Sequence, residues 1–425
     1  MKDLVLYGRD DAGISLTEIS EALIFALSEY KGSGKKILLA IPDFTRFHSN
    51  AGLIANIIYH ELSDTCQVDL LPALGTHVPM TRSECAKMYG DIPYDKFIEH
   101  NWRTGVVNLG QVPADFVKEV SEGVMDTAIE VEVNEHIVHG NYDLIISIGQ
   151  VVPHEVVGMA NHSKNILVGC GGSNMINSSH ILGAFYGMER MMGRDHSPVR
   201  KVFDYAAEHY LKDLNISYIL TVTTAVKDDV STHGLFIGSE RSVFEKAVTL
   251  SQEKNIISLD DPLSKVVVYL DPEEFKSTWL ANKAIYRTRM VIADGGDLIV
   301  LAPGVDKFGE DEEVDYLIRK YGYCGRERVI ELSRTETALQ SNLSAAAHLI
   351  HGSSDDRFKI TYCTRKLTKE EVESVNFNYL PYDEAIKKYD PAKLQDGFNI
   401  VDGEEIYYIS NPALGLWSTK EKYTD

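Results

Sequence analysis

Apolar residues recur along this chain at two spacings. Over residues 16–30 (LTEISEALIFALSEY) the spacing is helical, and the glycines at 32 and 34 end the predicted helix. An apolar strand follows over 37–41, then a polar loop with Asp43, Thr45, Arg46 and His48. Residues 50–62 predict a helix and 67–73 a strand. The loop Gly75, Thr76, His77 leads to a helix from Thr81, which Thr81 caps with help from Glu84. Segment 127–133 (TAIEVEV) alternates apolar and polar positions as a half-buried strand does. The run LIISIG, in a strand over 142–148, is the kind that lies in a parallel sheet covered on both faces. The stretch 142–180 reads as a strand, a turn, a short amphipathic stretch, a second strand, a Gly-rich loop and a helix start. It packs together His154, His162, His180, Lys164, Gly169, Gly171 and Gly172.

Beyond it the spacing predicts helices over 180–192 and 197–211, a strand over 216–223 and a helix within 235–252. Segment 258–265 (SLDDPLSK) has the acids, proline and serines of a linker. A second unit then alternates strand VVVYL, a helix over 273–288, strands MVIADGG into LIVLAPG, a helix over 311–321, strand 359–363, a helix over 382–388, and the strands NIV and EIYYIS. Strand–helix alternation makes both halves α/β, and the expected architecture is two α/β domains with an active-site cleft between them. The expected domains are 1–262, to which about 400–425 returns, and 263–399. A chain of 425 residues is long for one core.

Three apolar strands run directly into DFTR, GTH and VVPH. In open α/β sheets ligands bind at the carboxyl ends of strands, near a switch in strand order. If these strands are neighbours, Asp43, Arg46, His77 and His154 converge on one crevice. Charge alters the picture next. The formal net charge of −21 argues against nucleic acid or an anionic membrane surface as partner, yet permits an anionic small substrate at a local cationic cluster. There is no apolar run of transmembrane length and no leader-like start. The five scattered cysteines form no CxxC pair, so a reducing cytoplasm is the expected location.

The familiar signatures are missing: no spaced GxGxxG, Walker A, GxSxG or HExxH occurs, and Gly158 stands where a second zinc histidine would follow His154-Glu155. Taken singly, His77 and His154 read as capping or structural residues, Lys164 as a solvated helix lysine, and Arg46 with Asp43 as a surface ion pair. Gly171-Gly172-Ser173 reads either as a plain turn or as a loop offering N–H groups to phosphate.

Their joint order is more specific. Asp43-Phe44-Thr45-Arg46, Gly75-Thr76-His77, Pro153-His154, then Lys164 ten residues on and His180 sixteen further, resemble the signature of the nickel-dependent lactate racemase family. The resemblance implies a nickel ion in a pincer complex with a sulfur-modified pyridinium mononucleotide, tethered to Lys164 as a thioamide and ligated by His180. It implies Asp43, Thr45 and Arg46 facing the cofactor or the substrate carboxylate, and Gly171, Gly172 and Ser173 near the nucleotide phosphate. His77 and His154 become a pair of bases, one for each stereoisomer of a 2-hydroxy acid whose C2 hydrogen leaves as hydride. Lys283 becomes a cationic contact from the second domain. Cofactor-maturing enzymes are implied as partners. Oligomeric state is not legible.

Between His154 and Lys164 the chain departs from lactate-type members. Glu155, Asn161 and His162 add hydrogen-bonding capacity there, which suits a substrate with several hydroxyls. The expected function is therefore a sugar-acid 2-epimerase of the gluconate/mannonate type, with a lactate or other short 2-hydroxy acid racemase as the alternative. A zinc hydrolase or lyase using His154, His162 and His180, and a non-catalytic sugar-acid binding protein, are the remote readings.

Overall fold

The longest apolar runs become inner strands of two sheets, one in each of two units. The computed structural model describes residues 1–9, 12–226, 229–413 and 415–423. The first unit comprises 1–182 with 190–255, and the second 183–189 with 256–425.

Strands of the first unit are β1 (Leu4–Tyr7), β2 (Lys36–Ile41), β3 (Gln67–Pro72), β4 (Val106–Val112), β5 (Ile129–Asn134), β6 (Leu144–Gln150), β7 (Pro153–His154), β8 (Gly158–Met159), β9 (Ile216–Val226) and β10 (Asp229–Gly238). Six of them form one sheet in the order β1-β10-β9-β6-β2-β3. Here β2 pairs in parallel with β3 on one side and with β6 on the other, and β6 pairs in parallel with β9. The chain leaves β2 toward β3 and later returns to β2's other side as β6, so strand order reverses at the β2–β6 boundary. That is the crevice position of an open α/β sheet. The three strands ending in DFTR, GTH and VVPH are thus neighbours, and their loops share one edge. β6 is buried along its whole length, as its unbroken apolar run requires.

Helices Leu16–Leu27 and Ala51–Leu62 cover this sheet through Ile19, Leu23, Ile54 and Ile58, which join Ile37, Leu39 and Ile146 in one core. Ser15 and Thr81 each begin a helix with a reciprocal capping box, to Glu18 and Glu84. Gly52 permits a close crossing, because a Cβ there would lie 1.9 Å from the Met88 carbonyl oxygen.

The second unit contains β11 (Ile256–Leu259), β12 (Leu263–Tyr269), β13 (Ile292–Leu301), β14 (Lys359–Thr364), β15 (Asn378–Pro381), β16 (Gly397–Val401), β17 (Glu404–Ile409) and β18 (Leu416–Thr419). Its main sheet runs β15-β14-β13-β12-β17-β16, parallel except for the edge strand β16. The last strands stay in this unit: β17 pairs with β12 and β18 with β11, whereas the sequence returned 400–425 to the first domain.

Several elements differ from expectation. The stretch read as a linker is β11 and the start of β12, and the units divide at Asn255/Ile256. The helix expected within 235–252 is present as Arg241–Asn255, while residues 235–238 end β10. The helix expected over 273–288 is two short ones, Thr278–Ala281 and Lys283–Tyr286. The helix expected over 180–192 is Ser173–Tyr186, and the second strand expected after Lys164 is a π-helical turn, Asn165–Gly169. Short buried apolar runs carry no period that separates strand from helix.

Gly52→Ala provides a test of the packing. Propensity alone would favour alanine by about 1 kcal/mol, but the carbonyl in its path must move, and overpacking costs about 1–3 kcal/mol. A lower urea midpoint is expected; an unchanged or higher one would mean the helices part freely.

Candidate functional site

Each site loop is set by the strand before it. After β2, Asp43 precedes tight 3-10 turns over Phe44–Ser49, and its carboxylate is almost wholly buried. Oδ1 accepts from the Thr45 hydroxyl at 2.6 Å, and Oδ2 lies 2.5 Å from Nδ1 of His77, in the loop after β3. Burial on its own would raise the Asp43 pKa; the His77 and Thr45 hydrogen bonds and the Arg46 charge outweigh it and hold the carboxyl below its ordinary value. Two strand-end loops are thereby joined by a carboxylate–imidazole pair. Asp43 thus holds His77.

After β6 the chain forms the small hairpin of β7 and β8, with His154 buried at its turn and its Nδ1 accepting the Val156 N–H at 3.1 Å. Asn161 and His162 follow in left-handed conformation, at φ 70° and 56°. This double turn is fastened from behind by Arg200, which is 1% exposed and donates to the carbonyls of Met159 and Asn161 and to the Ser163 hydroxyl. Lys164 emerges next. Burial lowers its ammonium to about 8; Arg46 adds to the shift, while Glu155 and Asp43 oppose it. At neutral pH a fraction of such an amine is already a neutral nucleophile.

Asn165 fixes the adjoining turn to the switch point. Its Nδ2 donates to the Ser147 hydroxyl on β6 at 2.9 Å and, more weakly, to the Ala40 carbonyl on β2 at 3.4 Å. The Gly75 N–H donates to the Gly169 carbonyl at 2.8 Å, tying the His77 loop to the end of that turn. Gly171 must lack a side chain, because a Cβ would stand 1.9 Å from the Leu167 carbonyl oxygen. His100 supports the same loop: Nε2 meets the Gly171 carbonyl and Nδ1 meets Asn134.

Helix Ser173–Tyr186 then presents His180. Its Nδ1 lies 2.6 Å from the Ile176 carbonyl oxygen, so Nδ1 carries the proton and Nε2 keeps the lone pair that a metal needs. Burial lowers the His180 pKa; nearby Lys164 and His77 lower it further, against the Ile176 bond and Glu155. These mutual influences tie Asp43, Arg46, His77, Glu155, Lys164 and His180 into one electrostatic neighbourhood. His154 joins through Glu155, whose Oε2 is 3.8 Å from its Nδ1.

Other expectations fare differently. His162 does not add hydrogen-bonding capacity. Its ring is stacked 3.9 Å from that of Tyr218 and 5.1 Å from that of Phe244, neither nitrogen finds a partner, and burial holds its pKa well below the ordinary value. The Asn161 Oδ1 is taken by the His162 N–H. A zinc site of His154, His162 and His180 is not assembled: among the described residues no group of three or more His, Cys, Asp or Glu side chains stands ready to hold a metal. Gly171, Gly172 and Ser173 do open a helix, but the Asn174 N–H there already donates to Glu132 at 2.8 Å. Lys283 begins the helix Lys283–Tyr286 of the second unit, its ammonium 5.5 Å from the Phe275 ring centroid. Asn165, Glu132, His100 and Arg200 had no sequence signal, since their partners are distant in the chain.

The residues fit the group that the resemblance implies. An enclosed, partly neutral lysine suits a thioamide tether, and an imidazole oriented through a backbone carbonyl suits a nickel ligand. Among the described residues, no helix is long and apolar enough to cross a membrane.

Comparison with known proteins gives a family match and structural matches. Residues 17–192, which hold Asp43, Arg46, His77, His154, Lys164 and His180, match the family model of the lactate racemase N-terminal domain. A crystal structure of a protein from Thermotoga maritima is similar over 98% of this chain and 100% of its own, with a TM-score of 0.82 at 25% identity. The lactate racemase apoprotein from Thermoanaerobacterium thermosaccharolyticum shares the fold over 96% of this chain and 93% of its own, with a TM-score of 0.71 at 16% identity. A search of the curated proteins returns no match.

Two outcomes are expected. Asn165→Ala strips the Ser147 hydroxyl of a buried partner and should cost about 1–3 kcal/mol in urea denaturation; no loss would show that the turn is held otherwise. Because the Asp43 pKa is depressed in the fold, its contribution is present above the unfolded value and is lost as pH falls through the lower folded one. Acid unfolding of Asp43→Asn should therefore show a shallower loss of stability below about pH 4 than the unaltered chain; equal slopes would mean the pair contributes nothing.

Proposed function

Because the chain belongs to the lactate racemase family through its N-terminal domain, we propose that it inverts C2 of a 2-hydroxy acid with a nickel-pincer nucleotide held by Lys164 and His180. The observation that carries this reading is the shared neighbourhood of His77, Lys164 and His180 at the β2–β6 switch point. When bound, the nucleotide supplies a centre that takes up and returns hydride, chemistry no side chain offers.

The protein's own part is positioning and proton handling. Arg46 is the group for the substrate carboxylate, whose two oxygens suit a guanidinium fork. His77 and His154 handle the hydroxyl proton of the two stereoisomers, one imidazole for each pose. Asp43 keeps the His77 ring in one orientation. Burial of Lys164 favours the neutral amine needed for a thioamide link.

We favour a sugar acid of the gluconate/mannonate type as substrate. With Asn161 and His162 turned into the protein, the support is Glu155, whose charge reaches both Lys164 and His180. A carboxylate there repels a second anion and accepts hydrogen bonds from hydroxyls, which lactate lacks beyond C2.

The test is production of the chain together with cofactor-maturing enzymes, followed by intact mass, nickel content and product analysis. One nickel and one adduct per chain are expected, absent in Lys164→Ala. His77→Ala and His154→Ala should each keep the adduct and lose about 100-fold or more in turnover, the scale of a general base. An unmodified lysine in active enzyme overturns the cofactor reading. Turnover of lactate with none of gluconate overturns only the substrate.

A further inference from the structure

Two imidazoles alternating as bases ought to present equivalent nitrogens, and His77 and His154 do not. Oδ2 of Asp43 lies 2.5 Å from Nδ1 of His77, and a carboxylate only accepts. Nδ1 therefore bears the proton, and Nε2 of the neutral ring keeps its lone pair. The other Asp43 oxygen accepts the Thr45 hydroxyl at 2.6 Å, which keeps the carboxylate from turning away. At His154 the Val156 backbone N–H donates to Nδ1 at 3.1 Å, and a backbone amide only donates. Nδ1 there holds the lone pair, and the ring proton is on Nε2. Glu155 Oε2, at 3.8 Å from the same nitrogen, is beyond hydrogen-bond reach and does not displace the amide. The settings differ as well: the His77 side chain is 52% exposed and that of His154 7%.

We propose that the two histidines are preset in opposite tautomers, His77 as a proton acceptor at Nε2 and His154 as a hydrogen-bond donor at Nε2, with Asp43 as the residue that positions His77. This rests on the two-histidine reading above. For the isomer whose hydroxyl meets His77, the O–H bond breaks as an N–H bond forms at Nε2. The ring becomes imidazolium, and Nδ1–H stays on Asp43, whose negative charge balances it. His154 donates to a substrate oxygen through Nε2–H but takes no proton at that atom. For the opposite isomer, His154 must first exchange its proton with water from Nε2 to Nδ1, giving up the Val156 bond. The stereoisomers then enter by unequal routes.

The experiment uses the full chain, labelled with 15N at histidine and produced without maturing enzymes. Long-range 1H–15N correlation distinguishes the two tautomers of a neutral ring, and it is recorded at a pH where the ring-nitrogen shifts themselves are those of neutral imidazole. Signals are assigned with His77→Gln and His154→Gln. We expect His77 as Nδ1–H and His154 as Nε2–H. Asp43→Ala should return His77 to the tautomer mixture of a free imidazole and leave His154 unchanged. The same tautomer in both rings, or a His77 pattern indifferent to Asp43→Ala, overturns the proposal. Should a glutamine variant fail to fold, neutron diffraction on crystals of the unaltered chain locates both ring protons under the same criterion. These readouts need no cofactor. Failure here leaves the two-base reading intact, whereas that reading fails separately if cofactor-loaded His77→Gln or His154→Gln still epimerises.

Discussion

The site depends on one constraint of the backbone: β2 is hydrogen-bonded in parallel to β3 on one side and to β6 on the other. Parallel pairing puts the carboxyl ends of all three strands on the same edge, so three separate loops have to meet. Register does the rest. Ala40 is opposite both Leu71 and Ser147, and the segment after each strand starts from a common level. Asn165 then bridges the β2 and β6 ends directly, next to the lysine.

Enclosure sets the chemistry of that edge. Lys164 and His180 are both depressed by loss of solvent, and the Lys164 charge lowers His180 further. A cation is disfavoured there, so the amine moves toward its nucleophilic form and the imidazole toward its ligating form. Asp43 is the exception. It is buried yet ionised, because its two oxygens are met by a hydroxyl and an imidazole N–H. Arg200 is buried as well and serves differently, as a fastener of the carbonyls behind the double left-handed turn at Asn161 and His162.

How much of this was legible follows from the range of each signal. The strand-end motifs at Asp43, His77 and His154 could be read because each is contiguous with an apolar run. Their convergence could not, since adjacency in a sheet is a fact about pairing and chain order does not contain it. Capping at Thr81 was legible because both partners lie within one turn. The helix containing His180 was misplaced because Gly171, Gly172 and Ser173 look like a loop, whereas the helix already starts at Ser173. The turn after Lys164 was misread because NILVG is buried throughout and lacks a period. His162 misled most. In sequence it adds to a crowd of proton-handling groups; in the fold it is an aromatic slab between Tyr218 and Phe244.

The Glu132 carboxylate at the amino end of helix Ser173–Tyr186 has a consequence of its own. A helix beginning attracts anions because its leading N–H groups are unmatched and its dipole is positive there. Here a side chain from β5 has answered that attraction from within, much as a plug fills a socket. Any phosphate brought near the Gly-rich loop meets a negative neighbour instead of a vacant set of donors. An anion there gains less from the dipole than at an open helix beginning, and dissolved salt screens what attraction is left.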